Sequence, residues 1–418
     1  MSASNTRGRS CIAVGLIGVL MITVVSCSDN SSDKSSPSTK ATSSRVRQTT
    51  STSGSSATSR GAVVFGGDGN NLDAYEGAPP FRHQRVNAAF TPEAPQKPNP
   101  RGTDINAQIC FFPDGSGRFI AGEDKNQTKG VRQGWGIFRL TGSSVGSFRI
   151  RETAKLVPTF QPSKDNAENY GCGILSDGRV VTTDIGDQAN GVPDGQLIIW
   201  FPPFNSHHVR YCKIDVAIST AQSTLIGRDD HIFLAAARPT SVRDATGSGV
   251  WEYSPPYPTG PDAARGCGKK DVTGAPLVDR SQKKLFIAPG AHAMLTPSGI
   301  VTSPAGGFYV SSVFTGVINE YDRRGRFVRT ILQPPAGESI GAKPYSTGTP
   351  LGIGIAPDGT LYYADIGVVV DPKNGVGPGS KTGSVRRITF NSGKPNPPET
   401  MARGLDYPDG IGIFVPPS

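Results

Sequence analysis

The chain has 418 residues, among them 52 glycines and 35 prolines, and a formal net charge of +9. The glycines follow no three-residue period, which excludes a collagen-like fibre. Residues 1–60 hold seven of the 43 Lys and Arg and two of the 34 Asp and Glu. The rest of the chain is therefore close to charge balance, which speaks against a nucleic-acid-binding protein.

The N-terminus has the pattern of an export signal. Arg7 and Arg9 precede a run of apolar or small residues from Cys11 to Val25. A helix of that length is about 22 Å long, short of a hydrocarbon core of about 30 Å. The pattern therefore predicts a signal peptide rather than a membrane-spanning helix.

The end of this run, Val24-Val25-Ser26-Cys27, resembles the lipobox of bacterial lipoproteins. The resemblance implies a signal peptide of residues 1–26, cleavage after Ser26, and diacylglycerol with palmitate-like acyl chains on the Cys27 thiol. The chain would then be anchored in the bacterial cell envelope, on the extracytoplasmic side of the membrane. Two or three acyl chains give stable attachment, whereas one would be marginal. The alternative is an ordinary secreted protein with a chance cysteine.

A polar segment follows the cysteine. Residues 28–60 include 19 Ser or Thr among 33, a composition that buries too little surface to fold. As a flexible coil it would span roughly 30 Å. We therefore predict a lipidated, disordered linker at 27–60 ahead of a folded domain at 61–418. The basic residues of this linker either favour anionic headgroups or serve only to keep it soluble.

The folded part contains internal repeats. From Gly61 onward, short alternating runs are separated by Gly, Pro, Asp and Asn, which predicts an all-β protein. One pattern recurs six times at a spacing of roughly 60 residues. Each copy has a first strand, a tight turn, a second strand such as TLYYAD and a third such as VINEYD. The copies begin at 107 (AQICFFPDG), 170 (YGCGILSDG), 212 (CKIDVAIS), 297 (PSGIVTSPAGG), 350 (PLGIGIAPDG) and 408 (PDGIGIF).

Four antiparallel strands repeated radially are the blades of a β-propeller. The last copy ends after one strand, and residues 61–86 resemble strands two to four of a blade. We therefore predict an all-β, six-bladed β-propeller whose N-terminal strands complete the last blade and so remove its exposed edges. A β-sandwich or a solenoid is the alternative, but neither requires equal units with complementary termini.

Four cysteines remain after Cys11 and Cys27 are assigned to the signal and the lipid. An even number outside the cytoplasm predicts two disulfides with three possible connectivities. Cys110 and Cys172 fall at similar heights on adjacent predicted inner strands, which favours that bridge, although they could instead be free buried thiols. Cys267 lies in an insertion at roughly 255–290, within reach of Cys212.

The repeats resemble the six-bladed propellers of the gluconolactonase/regucalcin-like and NHL types, through the shared pattern P-x-G-I…PDG-x-L-Y-x-A-D. The resemblance implies a site at the mouth of the central channel. In gluconolactonase-like enzymes a divalent cation there, calcium or magnesium, polarises a lactone carbonyl for attack by water. Asp409 in Pro-Asp-Gly-Ile matches the family's aspartate. No Asn stands in a P-N-G, and the equivalent positions in the other copies are Ser298, Leu351, Tyr170, Ala107 and Cys212.

Acidic residues also recur where second strands end. Thr183-Asp184-Ile185-Gly186 mirrors Ala364-Asp365-Ile366-Gly367, and Glu123-Asp124 stands at the same point of the first copy. Asp184, Asp365, Asp124 and Glu123 are therefore candidates for binding a ligand, and Asp184 and Asp365 for joining Asp409 around a cation. Further acids and amides follow in the loops: Asp187, Asn190, Asp194, Asp371 and Asn374. The alternative is turn chemistry, since Asp and Asn make local hydrogen bonds in turns.

His292, just before the fourth copy, is the histidine best placed for a channel mouth. It and Asp409 are the candidate catalytic residues, His292 as a base or a ligand contact. A structural role is the alternative.

Two functions follow from these observations. The first is a monomeric, membrane-anchored propeller that acts as a binding platform for a small envelope ligand, a glycan or a protein. The alternative is a metal-dependent gluconolactonase-like hydrolase. No nucleic-acid partner is expected, the lipid bilayer is expected as a partner through Cys27, and no constellation for a quinone-type dehydrogenase is present.

Overall fold

Tight turns separate short strands throughout the protein, as the Gly, Pro, Asp and Asn clusters predict. The computed structural model describes residues 61–91, 94–98, 105–123, 134–156, 169–185, 195–204, 210–237, 248–373 and 375–416. The predictions for the signal peptide, Cys27, the linker, Asp124 and the loop residues Asp187, Asn190, Asp194 and Asn374 lie outside these residues. Within these ranges no helix has the length and apolar character needed to cross a membrane.

The strands account for nearly all regular structure, apart from 3-10 turns at Arg228–Asp230, Ala263–Arg265 and Ala291–Ala293. In chain order the first sixteen are β1 (Val63–Asp68), β2 (Asn71–Glu76), β3 (His83–Asn87), β4 (Phe90–Thr91), β5 (Ala94–Pro98), β6 (Asn106–Phe111), β7 (Arg118–Glu123), β8 (Gly134–Thr141), β9 (Arg149–Leu156), β10 (Asn169–Ile174), β11 (Val180–Asp184), β12 (Gly195–Trp200), β13 (Tyr211–Ile218), β14 (Thr220–Ile226), β15 (Ile232–Ala237) and β16 (Gly249–Ser254). The others are β17 (Lys269–Lys270), β18 (Pro276–Leu277), β19 (Gln282–Ile287), β20 (Pro297–Thr302), β21 (Phe308–Ser312), β22 (Val317–Tyr321), β23 (Phe327–Leu332), β24 (Pro350–Ile355), β25 (Leu361–Asp365), β26 (Val368–Asp371), β27 (Gly375–Pro378), β28 (Gly383–Ile388), β29 (Phe390–Asn391), β30 (Lys394–Pro395), β31 (Glu399–Leu405) and β32 (Ile411–Phe414).

These strands form the six blades of a β-propeller. Blades 1, 2 and 4 are β6–β9, β10–β13 and β20–β23, each in chain order from the axis outward. In blades 3 and 5 an insertion separates some of the four strands, which are β14-β15-β16-β19 and β24-β25-β28-β31. The first strands of neighbouring blades contact each other all the way round the ring.

The N-terminal strands close the ring, as predicted. Blade 6 has β32 innermost, followed by β1, β2 and β3. β1 pairs with β32 in the antiparallel register Val63↔Phe414 to Gly66↔Ile411. The two ends of the folded domain therefore complete one sheet, which confirms the six-bladed propeller.

The two ends of the ring differ. At one, here the mouth end, first strands begin where second strands end, as the pair Pro350↔Asp365 shows. At the other, here the turn end, hairpins join first to second strands and third to fourth. The described chain enters β1 at the turn end, since Val63 pairs with Phe414.

Both predicted disulfides are confirmed. Cys110 on β6 is bonded to Cys172 on β10, which joins blades 1 and 2. Cys212 on β13 is bonded to Cys267. The second bridge fastens the insertion between β16 and β19 to blade 2, where β18 also pairs with β13 at Lys213↔Leu277.

The predicted start of the third blade is wrong. Residue 212 does not begin a first strand, because Cys212 lies on β13, the fourth strand of blade 2. The first strand of blade 3 is β14, and only Ser219 separates it from β13. Because no Gly or Pro separates these two strands, the sequence pattern does not show where one ends and the next begins. The position equivalent to Tyr170 and Leu351 is therefore Gln222.

Candidate functional site

An apolar cluster occupies the axis at the mouth end. Its buried members come from blades 1, 2, 4 and 5, and blades 2 and 5 are opposite each other in the ring, so the cluster spans the axis. They are Ala107, Tyr170, Ile185, Val313, Leu351, Ile366 and Val368, with Phe314, Ile340 and Val376 packed against them. We call this set the axial cluster.

The axial cluster explains the repeated Asp-Ile-Gly sequences in a way that the sequence prediction missed. Ile185 and Ile366 belong to the cluster, whereas the Asp365 carboxylate is bound by residues within its own blade. Successive side chains alternate in direction along a strand, so only one residue of each pair faces the axis. The isoleucine repeats as regularly as the aspartate, and this signal could have identified it.

Asp365 is bound on all sides by blade 5. Its Oδ1 accepts hydrogen bonds from the amides of Thr349 at 2.7 Å and Gly367 at 3.0 Å, and from the Thr349 hydroxyl. Its Oδ2 accepts from the Ser384 hydroxyl at 2.7 Å and forms an ion pair with Arg386 at 3.0 Å. The carboxylate is fully buried and holds the mouth end of one blade together.

Asp409 joins blade 6 to blades 1 and 2. Its Oδ2 accepts a hydrogen bond from the Ala107 amide at 2.6 Å, and its Oδ1 accepts one from the Gly410 amide. The Tyr170 hydroxyl crosses from blade 2 to donate to the Asp409 carbonyl at 2.8 Å. Burial, with a smaller contribution from the Asp409 charge, raises the pKa of Tyr170 well above its usual range. The hydroxyl therefore stays protonated and keeps donating.

The remaining candidates do not meet these two acids. Glu123 is buried and forms an ion pair with Lys155 at 2.5 Å, on the outermost strand of blade 1 and away from the axis. Asp184 is buried and lies in register with Asn169 and Gln196. The Asp371 carboxylate accepts a hydrogen bond from the Lys373 amide, which is turn chemistry within the β26–β27 hairpin.

His292 is not at the channel mouth, so that expectation was wrong. Its ring stacks on Phe327 of β23, the outermost strand of blade 4, with ring centroids 3.6 Å apart. Its carbonyl accepts a hydrogen bond from Asn319. The 3-10 turn Ala291–Ala293 belongs to the connection from the outer edge of blade 3 to blade 4. His292 therefore lies early in this connection, far from the axis.

The described residues do not fit the divalent cation that the family resemblance implies. No three His, Cys, Asp or Glu residues among them form a group that could hold a metal ion. The oxygens of Asp365 and Asp409 already accept hydrogen bonds from their own and neighbouring blades. We therefore derive no metal-dependent step from them.

Blade 3 differs from blades 4 and 5 at the mouth end. In blades 5 and 4 a threonine precedes the first strand, and its hydroxyl is hydrogen-bonded to the end of the second strand: Thr349 to Asp365 and Thr296 to Ser312. Thr220 has this position in blade 3, but the second-strand residue there is Ala236. The Thr220 hydroxyl is consequently buried without a hydrogen-bond partner.

Other oxygens near Thr220 are also buried and unpartnered. They lie within four residues of Thr220 along the chain and are Ser219 Oγ, Gln222 Oε1 and Thr224 Oγ1. Gln222 is 8% exposed and faces the axis, because it is equivalent to Tyr170 and Leu351 of the axial cluster. Buried polar groups normally have partners, so this cluster, here the blade 3 oxygens, is exceptional.

The two threonines give a matched test of this difference. Thr349→Val should lower the free energy of unfolding by about 1–3 kcal/mol, because it removes one hydrogen bond to the buried Asp365 Oδ1 and leaves the Val368 amide without a partner. Thr220→Val should leave the free energy of unfolding unchanged or raise it, because the hydroxyl that is removed makes no hydrogen bond. Urea unfolding of both variants measures this, and equal losses would contradict the assignment.

Comparison with solved structures finds distant likenesses. It is similar to a protein of unknown function from Bacteroides caccae, with 13% identity and a TM-score of 0.45, over 85% of this chain and 99% of that one. It is also similar to virginiamycin B lyase from Staphylococcus aureus, with 10% identity and a TM-score of 0.41, over 83% and 85% of the two chains. A luciferin-regenerating enzyme matches with 13% identity and a TM-score of 0.42, over 84% and 96%. These likenesses concern the fold alone. No family model and no curated protein matches the chain.

Proposed function

We propose that this chain is a membrane-anchored, extracytoplasmic binding platform whose propeller binds a small glycan at the mouth end, between the axial cluster and the blade 3 oxygens. The observation that carries the proposal is the set of buried, unpartnered oxygens on blade 3 at the same end as the apolar residues of the axial cluster. Ligand sites are mostly apolar with a few polar groups that fix orientation. Bound ligand would give these oxygens the hydrogen bonds that the blade itself does not supply.

The axial cluster and the blade 3 oxygens together favour one class of ligand. The axial cluster offers aliphatic and aromatic surface, and the blade 3 oxygens offer hydroxyls that donate and accept alongside an amide. A sugar ring presents a C–H face and an edge of hydroxyl groups, so it matches both sides at once. The acids of the mouth end are hydrogen-bonded within or between blades, which favours an uncharged ligand over a cation.

Binding is tested with a panel of neutral oligosaccharides added to the full chain purified in detergent. A ligand at a hundred times its Kd should stabilise the protein by about 2.7 kcal/mol. The stabilisation should persist in Thr349→Val. In Thr220→Val the apparent affinity for the ligand should fall about 2- to 10-fold, because the substitution removes about one hydrogen bond to the ligand. No stabilisation by any member of the panel, or equal affinity in both variants, would rule the site out.

The membrane anchor is tested separately. We expect intact mass measurement of the protein extracted from membranes to show a mature chain that starts at Cys27 and carries acyl chains. Cys27→Ser should abolish incorporation of labelled fatty acid. An unacylated chain that starts at another residue would overturn this part of the proposal without affecting the ligand site.

A further inference from the structure

The turn end of the propeller carries cations without acidic partners. Each lies in a turn, hairpin or insertion at that end, is exposed, and forms no ion pair with a carboxylate in the part of the chain that the structure describes. They are Arg228, Lys270, Arg280, Arg323, Arg324 and Lys394. We call this set the turn-end cations.

Most acids at the same end are already neutralised. Asp114, Asp177 and Asp322 form ion pairs with the arginines that follow them in the same hairpins. At this end, the exposed acids without an ion pair among the described residues are Asp229, Asp279 and Asp358, and the half-buried Asp230 also has none, which leaves fewer such acids than turn-end cations. Uncompensated charge at this end is therefore positive.

The N-terminal segment also joins the propeller at the turn end. Gly61 precedes β1, which begins at the turn end beside Phe414. The segment before it, 28–60, contains five Lys or Arg and two Asp, so it adds positive charge where it joins the propeller. A chain anchored through Cys27 would thus have its basic end nearest the bilayer.

We propose that the turn end docks on the anionic headgroups of the membrane that anchors the chain. Juxtamembrane cations are attracted to an anionic leaflet within about a Debye length of its surface. Arg280 also lines, with Ser281 and Gln282, a surface depression of about 550 Å³ at this end. Docking in this orientation turns the mouth end away from the bilayer, toward soluble glycans. This orientation rests on the proposed function, but the charge of the surface does not.

Vesicle binding by the mature chain from residue 27 with Cys27→Ser tests the surface without the lipid. We expect binding to vesicles that contain 30% phosphatidylglycerol, loss of binding at high salt, and no binding to pure phosphatidylcholine. Arg323→Gln/Arg324→Gln should weaken binding about 30-fold, on the basis of the usual contribution of a basic residue near an anionic surface. Both side chains are exposed in one hairpin, so the fold should be unaffected.

A matched double variant at the mouth end separates a specific surface from general net charge. Lys343→Gln/Lys373→Gln removes the same charge from exposed positions at the opposite end and should leave vesicle binding within about twofold, because charges beyond a Debye length are screened. Equal weakening by the two double variants, or equal binding to neutral vesicles, would overturn the proposal. Neither outcome depends on acylation of Cys27, so failure here is distinct from failure of the anchor.

Discussion

Gly410→Ala should lower the free energy of unfolding by about 5 kcal/mol, at the far end of the range for single substitutions. A Cβ built at Gly410 would lie 1.7 Å from the Ala107 carbonyl oxygen and 2.9 Å from the Gln108 amide nitrogen. Both neighbours are backbone atoms of blade 1, so no side chain can rotate to make room. The first strands of blades 6 and 1 would have to separate at the point where the ring closes.

Gly341→Ala is the matched control for that substitution. A Cβ at Gly341 meets no atom within 4 Å, so the variant should be neutral or slightly stabilising through the unfolded state. Thermal and urea unfolding of both variants measure the difference. Wild-type stability of Gly410→Ala would mean that β32 is not packed against blade 1 and that the ring closes in another way.

Asp365→Ala should cost about 4–5 kcal/mol, since removing one partner of a buried, hydrogen-bonded ion pair is strongly destabilising. The substitution leaves the Thr349 and Gly367 amides, the Ser384 hydroxyl and the Arg386 guanidinium without their shared acceptor. Asp365→Asn should lower the free energy of unfolding by less than Asp365→Ala, because Oδ1 still accepts hydrogen bonds from Thr349 and Gly367. Some loss remains, since the new amide group faces two donors.

Asp371→Ala provides the control, because Asp371 lies in a partly exposed hairpin and its loss should cost less than about 1 kcal/mol. A metal-ligand role for Asp365 makes the opposite prediction. Asp365→Ala would then fold with near-normal stability and lose a calcium-induced rise in the unfolding midpoint. Urea unfolding with and without millimolar calcium distinguishes the two.

The sequence predicts the fold well because the blade pattern is local. Repeated Pro-Asp-Gly turns mark the hairpins between first and second strands, and the truncated last copy requires strands from the other terminus. The same periodicity brought Cys110 and Cys172 to equal heights on adjacent strands, which the structure confirms. These features depend on short-range turn chemistry and on a simple count of strands.

The site was harder to predict, for two physical reasons. In Asp184-Ile185 and Asp365-Ile366 the acid and the apolar residue repeat together, and only the direction of the side chains decides which one faces the axis. The blade 3 oxygens are defined by a missing partner, since Ala236 stands where Asp365 and Ser312 stand in other blades. Because the sequence prediction began blade 3 at Cys212, it could not align Ala236 with Asp365 and Ser312.

Hydrogen–deuterium exchange with the neutral oligosaccharide panel tests most directly whether the mouth end beside blade 3 is a ligand site. The account predicts slower amide exchange in peptides that cover residues 219–224 and in those that contain Tyr170 and Leu351, with no change in the turn-end hairpin that contains Arg323. Protection confined to the turn end or the outer strands, or no change with any member of the panel, would contradict it.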